Sequence, residues 1–99
     1  MSKKISIIMA NFNSSEFIIQ TMESVISQTY TDWEFIIVDD CSTDNSREII
    51  DSYNDDRIRK YYLDHHEHMV YAFNLAISHS TGDYLARIDN DDTWEPEKL

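Results

Sequence analysis

Two apolar, β-branched runs set the frame of this chain: Lys4–Ala10 (KISIIMA) and Glu34–Val38 (EFIIV). Each is closed at once by polar residues, Asn11-Phe12-Asn13 and Asp39-Asp40. Continuous apolar runs of this length read as strands buried on both faces. A third run, Arg57–Leu63, alternates imperfectly and reads as a strand nearer an edge. A fourth, Tyr84–Ile88, reads as another strand and runs into Asp89-Asn90-Asp91-Asp92. Between the runs lie segments of helical period. Glu16–Gln28 sets Phe17, Ile18, Met22, Val25 and Ile26 on one face, with polar Asn11–Ser15 ahead of it to cap its start. Ser46–Tyr53 does the same with Ile49, Ile50 and Tyr53, and Met69–His79 with Val70, Phe73, Ala76 and Ile77. Phe17, Met22, Phe73 and Ile77 read as core. Thr81-Gly82-Asp83 reads as a helix stop in which Gly takes the left-handed conformation. Thr93–Leu99 reads as the start of a further element.

Alternation of strands and helices with short connections predicts an α/β fold, a parallel, doubly wound, Rossmann-like sheet in a single domain over residues 1–99. Such sheets bind ligands beyond the carboxyl ends of their strands, where the strand order switches. The polar clusters after the first, second and fourth strands therefore share one edge. Five carboxylates belong to that edge: Asp39, Asp40, Asp89, Asp91 and Asp92.

Composition removes several classes. With one glycine the chain carries neither G-x-G-x-x-G nor a P-loop, and G-x-S-x-G serine chemistry is excluded for the same reason. A net charge of −11 argues against nucleic-acid backbone as a partner and against anionic membrane surface. No apolar run approaches the ~18–20 residues of a membrane span, and the start lacks a secretory apolar core. One cysteine, Cys41, excludes an internal disulfide. The expected location is cytoplasmic.

In an extended segment, residues two apart point to one side, so Asp89 and Asp91 converge while Asn90 faces away. Two carboxylates ~5 Å apart repel by on the order of 3 kcal/mol at an effective dielectric near 20. A site that keeps both ionised calls for a cation. Mn²⁺ or Mg²⁺ suits carboxylate oxygens and keeps positions open for phosphate, which implies a diphosphate-type ligand. A solvated turn is the bland reading of an isolated D-x-D; its place after a strand, beside a second acidic strand end, favours the cation. An EF-hand is excluded by Trp94, which stands where that loop needs glycine. His65, His66 and His68 with Glu67 have metal-ligand composition, but no period aims them at one point, and a solvated connection is the simpler account. Cys41 beside two carboxylates is no activated nucleophile. Asp39 and Asp40 alternate sides, so at most one faces the ligand directly. Phe12 either packs under its loop or stacks on a base; both readings stand at this point.

Four segments carry a resemblance: Ile5–Asn13 (ISIIMANFN), Glu23–Tyr30 (ESVISQTY), Phe35–Asn45 (FIIVDDCSTDN) and Gly82–Leu99 (GDYLARIDNDDTWEPEKL). In order and spacing they resemble the amino-terminal half of family 2 glycosyltransferases, which have the GT-A fold. The resemblance implies an enzyme that takes a sugar from a nucleotide-diphosphate donor, UDP- or dTDP-linked, with Mn²⁺ or Mg²⁺ and inversion at the anomeric carbon. It implies that Phe12 stacks on the base, with Ala10 and Asn13 flanking it, and that Asp40 hydrogen-bonds the base beside Asp39. It makes Asp89-Asn90-Asp91 the D-x-D, with Asp91 the principal metal ligand and Asp89 its companion, and puts Asn74 near the diphosphate. It implies a saccharide or lipid-linked acceptor, work at the cytosolic face of a membrane, and an acceptor half with the general base beyond Leu99. An edge left open by that half favours self-association.

The chain departs from the family at three places. Ala10-Asn11-Phe12-Asn13 stands for Pro-Thr-Tyr-Asn, Cys41 for Gly, and Phe73 with Leu75 for the Arg and Gly of a diphosphate-holding run. His66 or His68 is then the alternative donor to the diphosphate. Two other functions fit the same fold: a catalytically inactive interaction module, which binds no nucleotide, and a response-regulator receiver. The receiver fails because its acidic pair belongs after the first strand, where Asn11 and Asn13 stand.

Overall fold

The computed structural model describes residues 3–99. Seven elements alternate: β1 (Ile5–Asn11), α1 (Ile18–Ile26), β2 (Trp33–Asp39), α2 (Ser46–Asp51), β3 (Ile58–Tyr62), α3 (Met69–Ser78) and β4 (Tyr84–Arg87). All strand pairs are parallel, in the order β3-β2-β1-β4. The chain winds outward from β1 to β3 and then returns to place β4 on the other side of β1. The strand order switches there, beside β1. The expected doubly wound sheet is present.

Alternation along the strands feeds two cores. Ile7 and Met9 of β1 with Phe35 and Ile37 of β2 pack under α1 and α2 against Ile18, Met22, Val25 and Ile50. The alternate residues Ile8, Ala10, Ile36 and Val38 pack under α3 against Ala72 and Ala76. Two alanines at helical spacing let α3 lie close on β1 and β2.

Several expectations are corrected. Phe17 and Ile77 are not core: they are 43% and 41% exposed, and Val70 is 72% exposed. The buried face of α3 is set by Ala72 and Ala76, whose small size a pattern of large apolar residues overlooks. The fourth strand is present as expected, as β4; it forms an edge of the sheet, with Tyr84 and Leu85 more than half open and Ile88 just after it buried. The α1 start has no side-chain cap; instead the Ser14 carbonyl accepts from Phe17 and Ile18 N–H. Gly82 does not take positive φ. It is glycine because a Cβ there would lie 2.6 Å from Ser6 Oγ and 2.8 Å from the Lys4 carbonyl oxygen. Thr93–Leu99 forms neither helix nor strand. It lies along the end of α1, where Gln28 Nε2 donates to the Glu95 carbonyl and Leu99 N–H donates back to Gln28 Oε1.

Candidate functional site

The parallel register brings the ends of β1 and β2 level, with Asn11 beside Asp39. Asn11 is buried and acts as the hub of the edge. Its Nδ2 donates to Asp39 Oδ1 at 2.8 Å, and its Oδ1 accepts from Ser14 Oγ and from Asn90 Nδ2, the latter at 3.3 Å. One amide therefore ties together β1, β2 and the loop after β4. Thr21 of α1 adds a second tie, donating to the Asn90 carbonyl at 3.2 Å. The three clusters expected at this edge are joined there. Sequence reasoning left Asn11 out of the site, because only the neighbouring strand ends reveal what its amide holds.

Asp39 and Asp40 point to opposite faces, as alternation requires, and both are fully buried. Asp39 Oδ2 accepts from Arg47 Nε at 2.8 Å and from Ser42 N–H at 3.0 Å. That pairing raises the Arg47 pKa above its ordinary value. Arg47 also donates to the Leu63 carbonyl, so its charge is committed to structure. Asp40 turns toward α3 and accepts from the Glu67 and His68 N–H groups at 2.7 and 3.0 Å. His66 Nδ1 lies 3.0 Å from the same carboxylate. Asp40 thus anchors the 64–68 loop, and contact with a base requires that loop to yield.

Phe12 is half-buried, and its ring meets His66 at a centroid distance of 4.4 Å, tilted by 44°. His66 in turn meets His68 edge-on at 5.4 Å. The histidine loop is exposed, as expected, yet His66 closes one side of the Phe12 surface; composition alone gave no signal of this. Ala10 is buried beneath α3 and presents no side chain to the edge. Asn13, at φ 49°, clips the facing loop: its Oδ1 accepts from Thr43 N–H at 2.8 Å. Asp44 in that loop accepts from Ser15 and Ser46 N–H. Burial would raise the Asp44 pKa, but these hydrogen bonds prevail and hold it at about 2. Cys41 sits at φ 62°, the left-handed geometry that glycine adopts without strain.

Asp89 and Asp91 are exposed, and Asn74 on α3 is exposed too. Asp89 Oδ1 is 3.2 Å from Arg87 Nη2. The segment turns here, Asp92 N–H donating to the Asp89 carbonyl at 3.0 Å, so it is not the extended stretch from which convergence of Asp89 and Asp91 was expected. Among the described residues no three His, Cys, Asp or Glu side chains gather as a metal cage. Two exposed carboxylates are nevertheless the donor set that Mg²⁺ or Mn²⁺ takes when phosphate oxygens and water complete its shell.

A depression of about 440 Å³ lies at the opposite edge, lined by Lys4, Trp33, Glu34, Arg57, Arg59 and Thr81 among others. Its charges are largely matched. Arg57 pairs with Asp55 at 2.8 Å and stacks on Trp33 at 3.8 Å, while Lys4 and Arg59 pair with Glu34 at 3.5 and 3.2 Å. That leaves little cationic surplus for a diphosphate, so the carboxyl edge is the stronger candidate.

A parallel, doubly wound sheet of this kind takes its ligands at the switch point, where the acidic edge lies. The profile of glycosyl transferase family 2 matches residues 6–99, and the chain belongs to that family. It is 40% identical over 97 residues to the putative teichuronic acid biosynthesis glycosyltransferase TuaG of Bacillus subtilis, over 96% of this chain and 38% of TuaG. It is 35% identical over 95 residues to WfgD of Escherichia coli, a UDP-Glc:α-D-GlcNAc-diphosphoundecaprenol β-1,3-glucosyltransferase, covering 96% of this chain and 38% of WfgD. Among solved structures, residues 1–349 of S. aureus TarS in complex with UDP superpose with a TM-score of 0.89 at 28% identity, over 95% of this chain and 29% of that one. The fold is therefore GT-A, and the chain spans well under half the length of these relatives. No helix among the described residues is long and apolar enough to cross a membrane.

Proposed function

We propose that this chain binds the donor of a sugar-nucleotide-dependent glycosyltransferase, a UDP- or dTDP-linked sugar together with Mn²⁺ or Mg²⁺. The observation that carries this reading is the joining of three strand ends through Asn11. It sets an aromatic ring, Phe12, at one side of the edge and the Asp89–Asp91 carboxylates at the other. Phe12 offers a face to the base, with His66 beside it. Asp40 serves this side by fixing the 64–68 loop, and contacts the base itself when that loop yields. Asn13 and Asp39 hold the loops that frame this edge, and Ala10, buried beneath α3, serves it only through its place on β1. Asn74 and Asn90 offer amides near the diphosphate, and Asp91 with Asp89 would hold the metal.

The reaction is displacement at the anomeric carbon. An acceptor oxygen forms the new bond, the bond to the diphosphate oxygen breaks with inversion, and the acceptor proton passes to a general base. A metal, when bound, neutralises charge on the departing diphosphate. The residues of this chain orient donor and metal; none of residues 3–99 is assigned as the base. The acceptor is a saccharide or a lipid-linked saccharide, which brings the enzyme to the cytosolic membrane face.

The test is calorimetric titration of UDP with Mn²⁺ and again with EDTA. Metal-dependent binding that Asp91→Asn weakens at least tenfold, with unchanged unfolding temperature, supports the reading. Absence of UDP binding with Mn²⁺ overturns it and favours the non-catalytic interaction module.

A further inference from the structure

Eight Lys and Arg side chains serve this acidic chain, and their placement is uneven. Lys4, Arg57 and Arg59 gather at the amino edge of the sheet, where Glu34 and Asp55 pair with them. Lys60, on β3, turns back to the carbonyls of Asp51 and Tyr53. Among the described residues whose side-chain contacts place them, two cations, Arg47 and Arg87, stand at the carboxyl edge. Arg47 is bound to buried Asp39 and to the Leu63 carbonyl, so it has little freedom to meet a ligand. Arg87, the last residue of β4, remains.

Its surroundings are distinctive. The guanidinium lies 4.2 Å above the centre of the Phe73 ring, which projects from α3. It contacts a single oxygen of Asp89, Nε at 3.3 Å and Nη2 at 3.2 Å, while the side chain stays 64% exposed. Stacking on an aromatic face fixes the plane of a guanidinium and leaves its N–H edge free to donate. The Asp89 contact shows that an oxyanion at this place satisfies that edge.

We propose that Arg87, laid on Phe73, is the residue that binds the diphosphate of the nucleotide donor. The assignment rests on the donor-binding reading above. It gives Phe73 a function at the position where the family's arginine is expected: the ring supplies the platform and β4 supplies the charge. It also replaces His66 and His68 in that role, since His66 is turned to Asp40 and Phe12. Asp89 holds Arg87 in place; were a metal bound, Asp89 would be among the residues holding it, and the guanidinium edge would be left to phosphate oxygen.

The test compares the unsubstituted protein, Arg87→Met and Arg87→Lys by UDP calorimetry in Mn²⁺, with uridine followed separately through the Phe12 and His66 ring signals. Loss of a charge-assisted donor to phosphate is expected to weaken UDP binding by about tenfold or more. Arg87→Lys should recover part of that loss by keeping the charge. Uridine binding and the unfolding temperature should not change, because Arg87 is exposed and distant in role from the base. UDP bound equally well by the protein and by Arg87→Met overturns this assignment alone. UDP bound by neither overturns the donor-binding reading beneath it.

Discussion

Glu34 gives the sharpest test of how the fold seats the turn into β4. It is buried on β2, yet it is charged and fully engaged. Its Oε2 accepts from Ser6 Oγ and from Thr81 N–H, each at 2.6 Å, and Oε1 from Thr81 Oγ1 at 3.1 Å. Arg59 and Lys4 add positive charge. Ser6 Oγ in turn accepts from Gly82 N–H at 2.8 Å, so the network seats the turn that leads into β4. Burial alone would raise the Glu34 pKa, but the hydrogen bonds from Ser6 and Thr81, with the Lys4 charge, bring it from 4.5 to about 2. In the unfolded chain the carboxyl returns to its ordinary value. Between pH 4.5 and about 2 the unfolded state therefore binds the proton that the native state refuses. The stabilisation is complete above the unfolded value and is lost as pH falls toward the folded one. At about 1.4 kcal/mol per pKa unit, the shift corresponds to roughly 3 kcal/mol at neutral pH.

Glu34→Gln keeps the shape, removes the charge and turns an amide donor toward other donors. Urea unfolding at neutral pH should show a loss of about 3 kcal/mol. The difference between the two proteins should shrink as pH is lowered from 5 to 2. Asp44 and Asp55 also have depressed pKa values and contribute equally to both acid limbs, so the difference isolates Glu34. A variant whose stability runs parallel to the parent's across this pH range would refute the reasoning.

Three further outcomes are expected. Cys41→Gly relieves a left-handed backbone at φ 62°; net of glycine's entropy it should stabilise by about 0.5–1 kcal/mol and raise the unfolding temperature by several degrees. Calorimetry showing no rise contradicts the strain. Phe12→Ala should weaken UDP binding by about tenfold, the scale of one lost base–aromatic stack, while leaving Mn²⁺ dependence intact; unchanged affinity returns Phe12 to a packing role. Asp40→Ala orphans the Glu67 and His68 N–H groups and should cost about 2 kcal/mol. Amide exchange at those two residues should accelerate more than at the core of β1, and uniform exchange would contradict the anchoring role.

The fold was legible because burial of β1 and β2 on both faces requires uninterrupted apolar runs, which few other arrangements produce. The strand ends were legible for the same reason: polar residues mark where burial stops. What escaped depends on contacts between distant segments. Alanines rather than large side chains seat α3, so Val70 and Ile77 looked buried and are not. Gly82 looked like a helix terminator, whereas β1 simply leaves no room for a side chain. At the site, Phe12 and the acidic pairs were visible from their positions. The bond from Asn11 to Asn90, the His66 contact and the stacking of Arg87 on Phe73 arise only when three strand ends are brought level.

The most direct test of the donor site follows amide signals of the isotopically labelled protein on addition of UDP, first with Mg²⁺ and then with paramagnetic Mn²⁺. Binding at the carboxyl edge shifts Phe12, His66 and Asn90 with Mg²⁺ and broadens Arg87 through Asp92 most strongly with Mn²⁺. Changes centred on Trp33, Arg57 and Thr81 at the opposite edge, or none at all, would contradict it.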